Sequence, residues 1–426
     1  MSGNTPSTTL DDVTVKADAP TATTNNPTAS SVYKPPSTDD TLSLVIAGTA
    51  WAGWQRVAVK RGMDSIPASF DVQVTERYPN PSSDISIKPG DPCQVKIGSD
   101  LVITGYVDRY AASVSSRDHS VRISGRSKSE DLVDCAAFIG DKDNPTYQVK
   151  GGTTLSIAQA LAKPYGVTIS SIAGDGVTIP QFNINLGETA WEIIDRITRY
   201  SELIAYDMPD GSIVLAQAGS EKMGSGFIQG VNVEQGDVNF TMDTRFSEYE
   251  GFLFSQMVYT TDGGTNQAKR GVIAKDDAVP RYRKHIIISE QTVMGQPILE
   301  KRVIWEKNRR MGRSQAVTCT VDSWRDTAGK LWAPNHLAPI KIPSLKLPQV
   351  DWCIGEVTYT RDEGGQHAVV VLMPKEAFLP EPSAFQPLPP LVGDVERAND
   401  AAKPPASSTP APKPAAPTPL PETTSL

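Results

Sequence analysis

The chain has 426 residues, of which 39% are hydrophobic, and a formal net charge of −8. That length holds two to four domains, with enough apolar side chains for a sizeable core. Residues 1–40 carry −3 and residues 380–426 carry −2, so the body is near neutral at −3, without the basic excess that a tight nucleic-acid binder brings to phosphates. The basic run Lys307-Asn308-Arg309-Arg310 reads as a solvated helix end, because cations favour helix C-termini. The four cysteines, Cys93, Cys135, Cys319 and Cys353, have no CxxC spacing and are too few for a disulfide framework. Three of them fall in strands, where a thiol acts as a small hydrophobe. The start of the chain has no charged-then-apolar leader pattern, and no apolar run reaches the roughly 18 residues of a membrane span. The expectation is a protein made and kept in a cytoplasm until something moves it.

Residues 1–40 are rich in Thr, Ser, Asn and Pro, and cannot bury enough surface to offset ordering entropy. Asp12-Val13-Thr14-Val15 alone reads as a short docking strand. Strand signals then follow in series. Leu42 to Gly48 is a β run, and Trp54 to Arg61 alternates. Ala68 to Thr75 alternates again, with Phe70, Val72 and Val74 on one face. Pro89-Gly90-Asp91-Pro92 punctuates. Cys93 to Asp108 and His119 to Gly125 complete about six short strands, which predict a closed or split antiparallel barrel.

Near residue 150 the pattern turns helical. Leu155, Ile157, Ala158 and Leu161 predict a short helix stopped by Pro164-Tyr165-Gly166. Thr189-Ala190-Trp191-Glu192 is a capping box, and Trp191, Ile194, Ile197, Tyr200 and Ile204 form one apolar stripe. A hairpin through Pro209-Asp210-Gly211 closes an α+β module. Phe246 to Tyr259 and Arg281 to Ile288 read as strands, Asp262-Gly263-Gly264-Thr265 as a hairpin turn, and Ile298 to Arg310 as a helix. Ala316 to Val321 is a strand. Residues 380–426 hold 13 prolines and should be extended and polyproline-like.

One pattern occurs twice. Cys93 to Asp108 (CQVKIGSDLVITGYVD) and Ala338 to Thr358 (APIKIPSLKLPQVDWCIGEVT) share a V/I-K-I strand start, a loop and an apolar strand with Gly-x-Val. Gly105-x-Val107 precedes His119 as Gly355-x-Val357 precedes His367. Arg61 and Met63 lead into the strand reaching Val74, as Arg310 and Met311 lead into the one reaching Val321. The reading is one barrel encoded twice. Three such chains would present six similar domains, a near-sixfold ring on a threefold assembly.

Residues 41–379 resemble the baseplate hub proteins of contractile-tailed, Mu-like bacteriophages. The resemblance lies in Phe70 to Glu76, Gly105-Tyr106-Val107-Asp108, Arg122 to Ser127, Ile157-Ala158-x-x-Leu161-Ala162-x-Pro164-Tyr165-Gly166-Val167, Gly187 to Glu192, Asp210 to Leu215 and Trp305 to Arg313. It implies a β-rich α+β fold: two similar split antiparallel, tail-tube-like β-barrels with an α+β module between them and disordered tails at both ends. The expected division is a disordered arm at 1–40, a first barrel at 41–149, the module at 150–218, a second β domain with one helix at 219–379 and a Pro-rich tail at 380–426.

The function so implied is structural. A homotrimeric, pseudo-sixfold ring would join the sixfold tail tube protein to the threefold central spike protein, touch other baseplate (wedge) proteins, and pass DNA through its channel without specific binding. The expected location is the virion tail baseplate, assembled in host cytoplasm. A hub or spike component of a type VI secretion or pyocin-like injection machine is the alternative. From another class, the alternative is a tail-associated peptidoglycan-degrading or glycan-binding protein using the module, with Trp191 and Tyr200 as stacking rings.

Catalytic patterns are weak. Glu188 and Glu192 are neighbours, but Glu192 is the capping-box acid. His119, His285, His336 and His367 are isolated and form no HExxH, and Ala328-Gly329-Lys330 lacks the flanks of a phosphate loop. No cysteine has a placed catalytic partner. The expectation is no enzyme, no cofactor, no metal, and no catalytic or cofactor-binding residue.

Overall fold

A computed structural model describes residues 40–75, 87–116, 119–254, 268–290 and 295–383. The expected strand at Asp12-Val13-Thr14-Val15, the turn at Asp262 to Thr265 and nearly all of both tails lie outside these residues. Strands of four or more residues are numbered here β1 to β16, and helices of eight or more α1 to α3. The chain opens with β1 (Leu42–Ile46), β2 (Arg56–Gly62), β3 (Ser69–Thr75), β4 (Pro92–Ile97), β5 (Asp100–Val114) and β6 (His119–Ser127). It continues with α1 (Thr154–Ala162), α2 (Ala190–Tyr200), β7 (Ile204–Asp207), β8 (Ile213–Ala216), β9 (Val233–Phe240), β10 (Glu248–Phe254), β11 (Ala268–Lys275) and β12 (Lys284–Glu290). It closes with α3 (Gly295–Arg313), β13 (Gln315–Val321), β14 (His336–Ile342), β15 (Leu347–Asp362) and β16 (Gly365–Met373). The fold is mostly antiparallel β-sheet with few helices.

The main sheet runs β9-β13-β16-β15-β2-β3-β6-β5-β4-β1, with β14 paired to β15 off this path. Period-two alternation builds its core. Val57 and Val59 of β2, Phe70 and Val72 of β3, and Val95 and Ile97 of β4 all turn inward and are buried. The inward residues of β13 and β16, Val317, Cys319, Val321, Ala368, Val370 and Leu372, join the same core.

The two ends of this sheet repeat one arrangement. β2-β3-β6-β5-β4 in the first and β9-β13-β16-β15-β14 in the second have the same neighbours, all antiparallel. The registers agree as well. Phe70 faces Gly125 where Val317 faces Leu372, a displacement of 247 residues along the chain (70 to 317, 125 to 372). A bulge interrupts β5 between Val107 and Arg109, and β15 between Ile354 and Glu356, at that same displacement (107 to 354, 109 to 356). Val95 lies across from Ile103 as Ile340 lies across from Val350, so the shared V/I-K-I start is a true structural counterpart.

Other parts of the sequence match are coincidental. Counted by register, Gly105 corresponds to Trp352, and Gly355 corresponds to Asp108, the bulge residue. Each glycine has its own local cause: a β-carbon at Gly105 would lie 1.8 Å from the Arg126 carbonyl oxygen, and one at Gly355 would lie 2.4 Å from the Phe378 ring. His119 corresponds to Gln366, one residue short of His367. Arg61 lies in a strand and Arg310 in a helix, so they are not counterparts.

A second core, between β6 and β9, is built by α1 and α2 around Ile157, Leu161, Ile193, Ile194 and Ile197. The capping box forms: Thr189 Oγ1 accepts the Glu192 N–H at 3.2 Å, and Glu192 Oε2 accepts the Thr189 N–H at 2.8 Å. The β7–β8 hairpin covers one side, and β8 also pairs in parallel with Ile169–Ser171. Leu132, Ala137 and Val149 pack into this core. A third, small core unites α3 with the β11-β10-β12 sheet through Tyr249, Ile287, Leu299 and Val303.

Candidate assembly surfaces

The joint between the repeated halves is built from β2 and the second half of β15. Glu356 faces Gly62, Thr358 faces Lys60, Tyr359 faces Val59 and Arg361 faces Val57, in antiparallel register. The inward side chains Val57, Val59, Val357 and Tyr359 are buried. On the outer face Lys60 Nζ lies 2.8 Å from Glu356 Oε2. The Tyr359 hydroxyl donates to the Trp332 carbonyl, which satisfies a polar group that burial would otherwise penalise. Beside the joint, buried Arg325 bridges Asp40 and Asp100 and also donates to the Ile97 and Gly329 carbonyls. A guanidinium buried this deeply is tolerated because it is paired and hydrogen-bonded on several sides.

The second core is clamped to the sheet by Asp207 and Asn335. Asp207 Oδ2 accepts the Ala68 N–H and the Ser127 hydroxyl, each at 2.6 Å, and Arg61 donates to the Asp207 carbonyl. Asn335 accepts the Gly219 N–H and donates to the Gln217 carbonyl.

Among the strand edges that lack such cover within the described residues, two belong to long strands of the main sheet. The second half of β5, Arg109 to Val114, pairs β6 on one side and no strand on the other among the described residues. Along β9, Gln235 to Phe240 pair β13 on one side only, on the same terms. Val114 is 80% exposed and Phe240 54%. Neither edge, nor β9 itself, was legible as such in the sequence; the period-two spacing of Val238 and Phe240 is the one signal that could have pointed to that strand.

The chemically versatile side chains are occupied structurally. Glu188 pairs with Arg196, and Glu192 closes the capping box. His336 lies 3.0 Å from Glu221, and His367 lies 2.7 Å from Glu234. His285 stacks on Phe246 and is held below its ordinary pKa, first by burial and then by Arg310. Burial pushes the Cys93, Cys319 and Cys353 thiols up to about 12. Asp326, before Gly329 and Lys330, accepts the backbone N–H groups of Gly224, Ala328 and Lys330 and so shapes its own turn. Trp191 and Tyr200 pack against the second core. Trp191 also lines a cleft of about 410 Å³ with Arg199, Trp305 and Arg309. Among the described residues, no cluster of His, Cys, Asp and Glu could hold a metal ion, and no helix is long and apolar enough to cross a membrane.

Comparison with known proteins gives a consistent result. Three family models match in chain order: the N-terminal domain of the Mu phage baseplate assembly protein GpP-like family at residues 41–127, the second domain of the baseplate hub protein gp44-like family at 129–217, and the fourth domain of Mu phage baseplate assembly protein GpP at 296–381. Baseplate hub protein gp44 of Escherichia phage Mu is 28% identical over 348 residues, covering 80% of this chain and 89% of that protein. The crystal structure of the 43 kDa tail protein of prophage MuSo2 from Shewanella oneidensis superposes with a TM-score of 0.69 at 28% identity, covering 79% of this chain and 99% of that one. A tail protein from Neisseria meningitidis MC58 shares the fold, with a TM-score of 0.65 at 19% identity over 80% of this chain and 98% of its own. The repeated strand order, the intervening second core and these matches together make the chain a member of the baseplate hub protein family of Mu-like phages.

Proposed function

We propose that this protein is the structural hub of a contractile tail baseplate, a homotrimer whose six barrel-like units form a pseudo-sixfold ring. Two tube-like split barrels per chain, within 41–149 and 219–379, would flank the α+β module at 150–218. One face of the ring would meet the sixfold tail tube protein, and the other the threefold central spike protein. Wedge proteins would contact its rim, and DNA would cross the central channel without specific binding. The observation that carries this reading is the shared register of the two halves, down to the bulge at 107–109 and 354–356. Two like units joined edge to edge in one chain are what a three-membered ring needs in order to imitate a six-membered one. A near-neutral body is compatible with passage of DNA, since a strongly basic lumen would retain phosphates.

The test is the mass of the purified full-length chain by multi-angle light scattering, alone and with its cognate spike. Three chain masses are expected in at least one of the two samples. A strict monomer in both would overturn the reading.

A further inference from the structure

From the repeat of register we infer that the ring closes by strand addition, with the Arg109–Val114 edge of β5 in one chain pairing antiparallel with the Gln235–Phe240 edge of β9 in the next. The inference rests on the trimeric-ring reading and supplies its protomer–protomer surface.

The argument starts from the joint inside the chain. There the second half of β15 receives β2. By register, β15 is the counterpart of β5, and β2 is the counterpart of β9. Lys60 pairs Ser69 as Asn239 pairs Ala316, and Ser69 to Ala316 is again a step of 247. So the first half of the chain carries the receiving edge and the second half carries the inserting strand, both open among the described residues. A single chain cannot bring them together, because its two halves are already joined the other way round through β2 and β15. A second copy can. The contact is heterologous, and such contacts close into rings when the rotation permits.

Transferring the internal register gives the pairing residue by residue. Thr358 opposite Lys60 becomes Ala111 opposite Asn239, Tyr359 opposite Val59 becomes Ala112 opposite Val238, and Thr360 opposite Ala58 becomes Ser113 opposite Asp237. At the ends, Val114 meets Gly236 and Tyr110 meets Phe240. The side chains fit this use. Exposed Val114 and Phe240 are apolar groups on edges that isolated proteins normally blunt with charge. Tyr110 and Val238 already lean on the main core, as their counterparts Val357 and Val59 do fully in the internal joint. The Lys60–Glu356 pair is not reproduced, because Asn239 and Arg109 stand at those places. The eight strands from β9 to β5 in each chain would then run on into the next without a break.

The experiment uses full-length protein with Ala111→Cys and Asn239→Cys together, both at exposed positions. Directly opposed residues of an antiparallel pair lie within disulfide reach. Mild oxidation should yield covalent dimers and trimers on non-reducing gels. Each single variant, and the off-register pair Ala111→Cys with Gln235→Cys, should give at least tenfold less product. Ser113→Cys with Asp237→Cys is a second in-register pair, which should cross-link as well if the first pair disturbs folding. A trimeric mass with no adduct from either in-register pair overturns the edge pairing and leaves the ring reading standing. A monomeric mass in both samples, with and without spike, overturns both.

Discussion

Glu130 sits where the main sheet hands the chain to the second core. Its carboxyl is pushed up to about 8, first by burial and then by Asp108, with Arg126 opposing. Arg126 Nε lies 3.1 Å from Glu130 Oε2, yet gives its hydrogen bond to Asp108 at 2.7 Å, leaving that buried oxygen without one. The folded protein therefore holds the Glu130 proton more tightly than the unfolded chain, where the carboxyl titrates at its ordinary 4.5. The stabilisation is full below that value and is lost as pH rises through about 8. Thermal midpoints should thus fall between about pH 5 and pH 9 more steeply in the parent than in Glu130→Gln; parallel profiles would remove Glu130 as the cause. Thiol chemistry gives a second residue-scale expectation. Cys93, Cys319 and Cys353 are buried, and desolvation keeps them protonated, whereas Cys135 is half-exposed. Iodoacetamide at mild alkaline pH should label the native protein at Cys135 first, and mass spectrometry should find all four sites only after unfolding.

At the scale of elements, signals confined to a few neighbouring residues read best. The capping box at Thr189 and Glu192 and the stripe through Ile194 and Ile197 placed α2 correctly, because the caps and the period of 3.6 are local physics. Thr189→Ala removes one side-chain acceptor and should destabilise the protein by about 1 kcal/mol, measurable as a lowered urea midpoint with unchanged slope. The strands with clean alternation, β3 and β13, were equally legible. β9 was not: Glu234, Gln235, Gly236 and Asp237 interrupt its apolar period, and its place depends on pairing with β13, far away in sequence. The repeat was legible in kind but misaligned in part. Gly105 and Gly355 look alike in one dimension, although one relieves a backbone approach and the other makes room for a ring.

On the scale of the whole molecule, the sequence leads one to expect two similar β units and a helical insert, and the strand registers of the main sheet repeat at a displacement of 247 residues (70 to 317, 125 to 372). It did not indicate that the two units share one continuous core, since Val357 and Tyr359 meet Val57 and Val59 across some 300 positions of chain. Such a pairing leaves no local trace, because each strand alternates in the same way whichever neighbour it finds. The candidate assembly surfaces were illegible for the same reason: an open edge is defined by what does not lie beside it.

The β2–β15 joint has a physical corollary for any ring built from this chain. Its two sides are tethered, so that contact forms at a fixed effective concentration, whatever the amount of protein in solution. The contacts between chains answer instead to mass action. Dilution would then part the perimeter only at every second seam, releasing whole pairs of units and never a lone one.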